Sequence, residues 1–212
     1  MKRQILIVSL VILGLSLLTV NALAQTSDPS QDAFKVNYFA NNGVAGAPDA
    51  TVRIDNPGSP TGVEPETASP SDSIGDIDLC AMIYVFDNDQ QLSECCGCLV
   101  TPNGLRALSV THDLTANPLT GVVSNNGDIL IVSALPNATP CDPAGAEGFK
   151  AVPTVRAWGT HIQNKVGTAY PITETPFTDV TLTKASTIIL EECAFVQRLG
   201  SGHGVCGCGT GD

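Results

Sequence analysis

Leu79-Cys80-Ala81-Met82-Ile83-Tyr84-Val85-Phe86 runs into Asp87-Asn88-Asp89-Gln90 and then into Gln91-Leu92-Ser93-Glu94-Cys95-Cys96-Gly97-Cys98-Leu99-Val100. The first eight residues are apolar on both faces of an extended chain, the pattern of a strand covered on both sides. The polar quartet is a turn, and the chain returns through Val100 as the second strand of a hairpin. Thr101-Pro102-Asn103-Gly104 forms a second turn, because proline presets φ and Asn-Gly tolerates the left-handed conformations of tight turns. Leu105 to Thr111 follows as a third strand. Centring the first turn near residues 88–89 places Cys80 opposite Gly97 within about a residue, hence near Cys96 or Cys98 across the ladder. Cys96 and Cys98 share one face of the strand while Cys95 points to the other, so the vicinal pair should find different partners.

The same signals continue on both sides of the hairpin. Downstream, Asp128 to Leu135 is a strand introduced by Asn125-Asn126-Gly127, Val152 to Ile162 is a longer one, and Pro176 to Leu182 a weaker one. Thr183 can cap a helix over about 184–199, in which Ala185, Ile188, Ile189, Cys193, Val196 and Leu199 recur at three- and four-residue spacing and Gly200 ends the run. Upstream, residues 33–40 alternate as a short strand carrying Phe34, Val36, Tyr38 and Phe39. Between it and the hairpin lies a stretch rich in Gly, Pro, Ser and Asp, interrupted by a strand-like pattern only at Thr51 to Ile54. Short strands separated by turn signals predict a mainly β protein, an immunoglobulin-like β-sandwich with one C-terminal helix and a disulfide-stapled glycine-rich tail. The predicted organisation is a signal peptide at 1–24, an N-terminal extension with a candidate donor strand at 25–49, a Pro/Gly-rich linker at 50–78 and the sandwich body at 79–212.

The leader reading rests on Lys2 and Arg3, the apolar run Ile5 to Val20, and the small residues of Ala22-Leu23-Ala24 before Gln25. Its removal takes away Lys2 and Arg3, so the formal net charge moves from -11 to -13. A chain this acidic, with no basic cluster, is a poor partner for nucleic acid. No later stretch is apolar for long enough to span a bilayer as a helix. The expected destination is extracellular, with the periplasm or the cell surface as alternatives.

Export governs the reading of the cysteines. Cys80, Cys95, Cys96, Cys98, Cys141, Cys193, Cys206 and Cys208 are even in number, and oxidising compartments favour disulfides. The simplest arrangement staples the helix around Cys193 and the tail around Cys206 and Cys208 onto the strand carrying Glu94 to Cys98. The alternative is a soft copper or zinc site built from Cys95, Cys96, Cys98, His203, Cys206 and Cys208. No resident cofactor is otherwise predicted. No Gly-x-Ser-x-Gly elbow or His-Glu-x-x-His motif occurs, and His112-Asp113 reads as a strand-end pair. No catalytic residue is assigned.

The strings from Leu79 to Asp87, Glu94 to Cys98, Thr101 to Gly104 and Cys206-Gly207-Cys208-Gly209 resemble a family of secreted cysteine-rich bacterial proteins without an assigned function. The resemblance covers about residues 50–212. It implies export and a disulfide-bearing body, and brings neither an activity nor catalytic residues. In architecture alone, the detachable strand also resembles donor-strand pilin subunits, which complete one another's sandwiches. The expectation is a secreted structural or adhesion protein, a subunit of an extracellular filament whose partner is another copy of itself. The rivals are a Cys/His metal-binding or electron-transfer protein, and an exported enzyme with an unrecognised site.

Overall fold

The computed structural model describes residues 33–58, 77–115, 121–136, 141–145, 150–180, 185–199 and 208. Residues 1–24, expected to be a signal peptide, together with Thr183, Gly200, His203 and Cys206, lie outside the described residues. In chain order the strands are β1 (Phe34–Phe39), β2 (Thr51–Asp55), β3 (Leu79–Asp87), β4 (Leu92–Val100), β5 (Leu105–Ser109), β6 (Gly127–Ala134), β7 (Arg156–Ile162), β8 (Ile172–Pro176) and β9 (Thr178–Val180). One α-helix, α1 (Ala185–Arg198), follows. The strands make two antiparallel sheets, in the orders β4-β3-β6-β1-β9 and β5-β2-β7-β8. The molecule is therefore the predicted β-sandwich with a C-terminal helix.

Residues assigned by pattern to an extension and a linker are part of both sheets. β1 lies between β6 and β9, and β2 lies between β5 and β7. The sandwich thus begins at β1, rather than at Leu79. The two sheets are joined at Phe177, where the chain leaves β8 and enters β9, and its buried ring packs into the core between the sheets.

Two apolar layers follow from the alternation along β3 and β4. Ala81, Ile83 and Val85, with Cys96 and Cys98, face the second sheet and pack with Val52, Ile54, Leu108 and Ile131. Cys80, Met82, Tyr84 and Cys95 face the opposite way, toward Cys141, Ile189 and Cys193. A strand covered on both faces needs an unbroken apolar run, which β3 supplies from Leu79 to Val85.

The hairpin register differs from expectation by two positions. Cys80 stands opposite Leu99, and Ala81 stands opposite Cys98. The turn centres on Asp89, with Asp87 and Gln91 closing it, and the register shifts again between Val85 and Phe86, where Glu94 and Leu92 are the partners. Ser93 is the extra residue of that bulge, and such an insertion moves every later pairing by one. A shift of two keeps every side chain on its face, so in either register Cys80 shares the face of Gly97 and Leu99, opposite to that of Cys96 and Cys98.

The helix also buries a narrower stripe than its sequence suggests. Ile189, Cys193 and Val196 are buried, whereas Ile188 and Leu199 are 57% and 47% exposed, and Phe195 is 61% exposed. The cause is placement: α1 packs chiefly on β4, the edge strand of its sheet, so one flank of the helix overhangs.

Candidate functional site

Two features distinguish this sandwich: the bridged strand β4 and the interior strand β1. On β4, Cys95 is bonded to Cys193 of α1 with Cα atoms 5.8 Å apart, and Cys98 is bonded to Cys208 of the tail at 5.0 Å. Across the hairpin, Cys80 is bonded to Cys141, also at 5.8 Å. All three separations suit a disulfide. Cys96 is bridged as well. The staple predicted between α1, the tail and this strand is present, and the vicinal cysteines have different partners. Cys193 lies on the outer face of the sheet, whereas Cys208 packs against the inner core.

Gly97 permits the bridge between Cys80 and Cys141. A Cβ at this position would lie 2.4 Å from the carbonyl oxygen of Cys141. Only glycine lets the segment carrying Cys141 cross the hairpin this closely. The Tyr84 hydroxyl, on the same face, donates to the carbonyl of Pro143 at 2.8 Å and fixes the crossing segment from below.

Glu94 adjoins the bridged pair and faces the inner core with Cys96 and Cys98, opposite Val85. It is 2% exposed, and neither carboxylate oxygen has a hydrogen-bond partner. Burial alone pushes its pKa up to about 7, because removing water penalises the ionised form. Alternation along β4 already placed Glu94 on the face of Cys96 and Cys98, but sequence reasoning did not single it out.

β1 is held along its length by side chains as well as by its ladders. Lys35, almost fully buried, is ion-paired with Asp179, its directly opposed neighbour on β9. Asn37 donates to the backbone and hydroxyl oxygens of Thr175 at 3.3 Å. The ring of Tyr38 stacks on His161, with centroids 4.1 Å apart, and the imidazole Nε2 lies 2.6 Å from the Thr175 hydroxyl. Burial holds the His161 pKa below its usual range. Of the four residues expected on an assembly strand, Phe34 and Phe39 are buried, Val36 is half-buried and Tyr38 is 51% exposed.

Beyond β1 the chain is clamped at Asn42. Its side-chain amide donates to Thr115 at 2.8 Å and to the carbonyl of Ser124 at 2.9 Å, and its own carbonyl accepts from Asn125 at 2.6 Å. Asp49 secures the next turn by accepting from the hydroxyl and amide of Thr111 and from the Ser109 hydroxyl; these bonds lower its pKa, against the opposing effect of burial.

The residues of the alternative metal set are not gathered on one surface. Cys95 faces α1 while Cys96 and Cys98 face the inner core, and Cys95, Cys96, Cys98 and Cys208 are disulfide-bonded. His203 and Cys206 fall outside the described residues. Among the described residues no three His, Cys, Asp or Glu side chains cluster as metal ligands do. His112 is exposed in the π-helical turn Val110–Leu114, and Asp113 is engaged by the Ser109 amide at 2.7 Å. No described helix is long and apolar enough to cross a membrane. Compared with known proteins, the chain matches no family model, no curated protein and no solved structure.

Proposed function

We propose that the protein is a secreted structural or adhesion protein, and that it builds an extracellular filament by exchanging β1 between neighbouring copies. The observation that carries this reading is the place of β1 in its sheet. The strand nearest the N-terminus among those described lies between β6 and β9 instead of at the sheet margin. Withdrawing it would leave the edge of β6 unpaired beside the short β9, a slot with the length and side-chain pockets of β1 itself. A neighbour's β1 would restore the same ladders and the same Lys35–Asp179 contact.

Exchange of identical contacts leaves the balance to concentration and to the hinge. The hinge is the segment at Ala40 and Asn41, next to the Asn42 clamp. The disulfides tie β4 to α1 and to the tail, and β3 to the segment carrying Cys141, so much of the fold is braced while the slot is open. The net negative charge keeps unassembled copies apart until a slot is met.

Val36 and Leu130 oppose each other directly across β1 and β6, and a Val36→Cys, Leu130→Cys variant tests the exchange. Oxidised at high concentration, an exchanging protein gives covalent multimers on a denaturing, non-reducing gel. Internally bridged monomer alone would refute the exchange.

A further inference from the structure

The overhanging flank of α1 borders two connected clefts on the outer face of the five-stranded sheet. One, of 550 Å³, has Val36, Leu130, Val180 and Ile188 as its apolar floor and wall. The other, of 770 Å³, continues past Leu92, Phe195 and Leu199 toward the end of the helix. Asp87, Gln90 and Glu192 belong to both, so the clefts form one groove that runs around the helix. Exposed apolar side chains gathered in a concave surface mark a binding site more often than chance exposure does.

The charge of this groove is one-sided. Asp87, Asp128, Glu191 and Glu192 stand on its rim, and no Lys or Arg is among its described lining residues. A second copy of a chain with net charge -11 meets that rim with repulsion. We propose that this groove docks a cationic, amphipathic peptide segment of a partner protein, with apolar side chains on the floor and Lys or Arg at the carboxylates. Val36 of β1 and its ladder partner Leu130 belong to the floor, so the groove is complete when a β1 strand, home or exchanged, fills its slot. Apolar burial would supply the affinity and the four carboxylates would orient the segment and exclude acidic competitors.

The test uses a fluorescent peptide of alternating Leu and Lys, with Ser/Lys and Leu/Glu peptides of equal length, titrated against the full mature chain at physiological salt. Saturable one-to-one anisotropy change is expected with Leu/Lys alone. Ile188→Ser with Phe195→Ser should weaken it at least tenfold. Asp128→Lys with Glu192→Lys should do the same. Asp55→Lys with Glu174→Lys, an equal change of charge on the other sheet, should alter it less than twofold. Ile188 and Phe195 are exposed, so their loss should leave melting unchanged; if it does not, the two charge-reversal variants still decide. Equal binding of Ser/Lys, equal weakening by the two reversals, or no binding of Leu/Lys would each overturn the proposal. So would a wild-type dimer, dispersed by the serine variant, that binds no peptide.

Discussion

Cys95 and Cys96 are adjacent in the chain, yet Cys95 is bonded to Cys193 under α1 while Cys96 sits in the core between the two sheets. A single edge strand is therefore covalently tied on both of its faces. Each tie closes a long loop, and the free energy it contributes comes largely from the conformations it denies the unfolded chain.

Peptide mapping of the non-reduced native protein should recover Cys80–Cys141, Cys95–Cys193 and Cys98–Cys208. Replacing Cys95 and Cys193 together by serine opens a loop with a sequence separation of 98. The expected cost is about 4.7 kcal/mol in denaturant unfolding, by the chain-entropy relation. A loss below about 1 kcal/mol would mean that the helix is held by packing alone.

Glu94 makes stability depend on pH in an unusual direction for a carboxylate. Its folded-state pKa, about 7, lies above the ordinary value of 4.5, so the folded chain keeps a proton that the unfolded chain releases between those values. Stability then falls as pH rises from 4.5 through 7, by up to about 3 kcal/mol from this group. His161 works oppositely, since its lowered pKa removes stability as pH falls below 6.5. The measurement is therefore a comparison of the parent with Glu94→Gln in urea at pH 5 and pH 8. The variant should gain relative to the parent at pH 8, and no relative gain there would show the carboxylate to be solvated.

Gly97→Ala should disturb the bridge between Cys80 and Cys141, since the added carbon meets backbone rather than a pliable side chain. A loss of about 2 kcal/mol, typical of overpacking, is expected in thermal or chemical unfolding. Slower oxidation of that one pair during refolding, followed by thiol trapping, should accompany it.

Ile189→Asp or Val196→Asp would bury an unpaired carboxylate between α1 and the sheet, and should lower stability by several kcal/mol. Ile188→Asp, one residue along the helix, should change it by less than about 1 kcal/mol because that side chain is 57% exposed. Equal melting temperatures for all three variants would contradict the orientation of the helix.

Local pattern carried much of this fold. The apolar run at Leu79, the turn after it, the strand near Asp128 and the helix near residue 184 all follow from neighbours in sequence. The placement of β2 does not, because its partners are Leu105–Ser109 and Arg156–Gly159, brought to it by the tertiary fold. A five-residue strand in a Pro- and Gly-rich setting carries no mark of being central. The hairpin register failed for a smaller reason: a bulge at Ser93 and a turn centred on Asp89 have the same composition as a regular turn. Glu94 was legible in position but not in state, since alternation says which face a side chain takes and not whether a donor awaits it there.

The bridge from Cys98 to Cys208 has a mechanical consequence. Tension applied between β1 and Cys208 travels along β3 and β4 as far as Cys98 and then jumps to the tail, bypassing a sequence separation of 110. Fully extended, that stretch would measure about 370 Å at roughly 3.4 Å per residue. None of this length can be drawn out while the bond is intact, even if β5 to β9 lose their packing. A pulled molecule would therefore yield only in its N-terminal strands and along one hairpin, and a reductant would turn a short, stiff link into a long, compliant one.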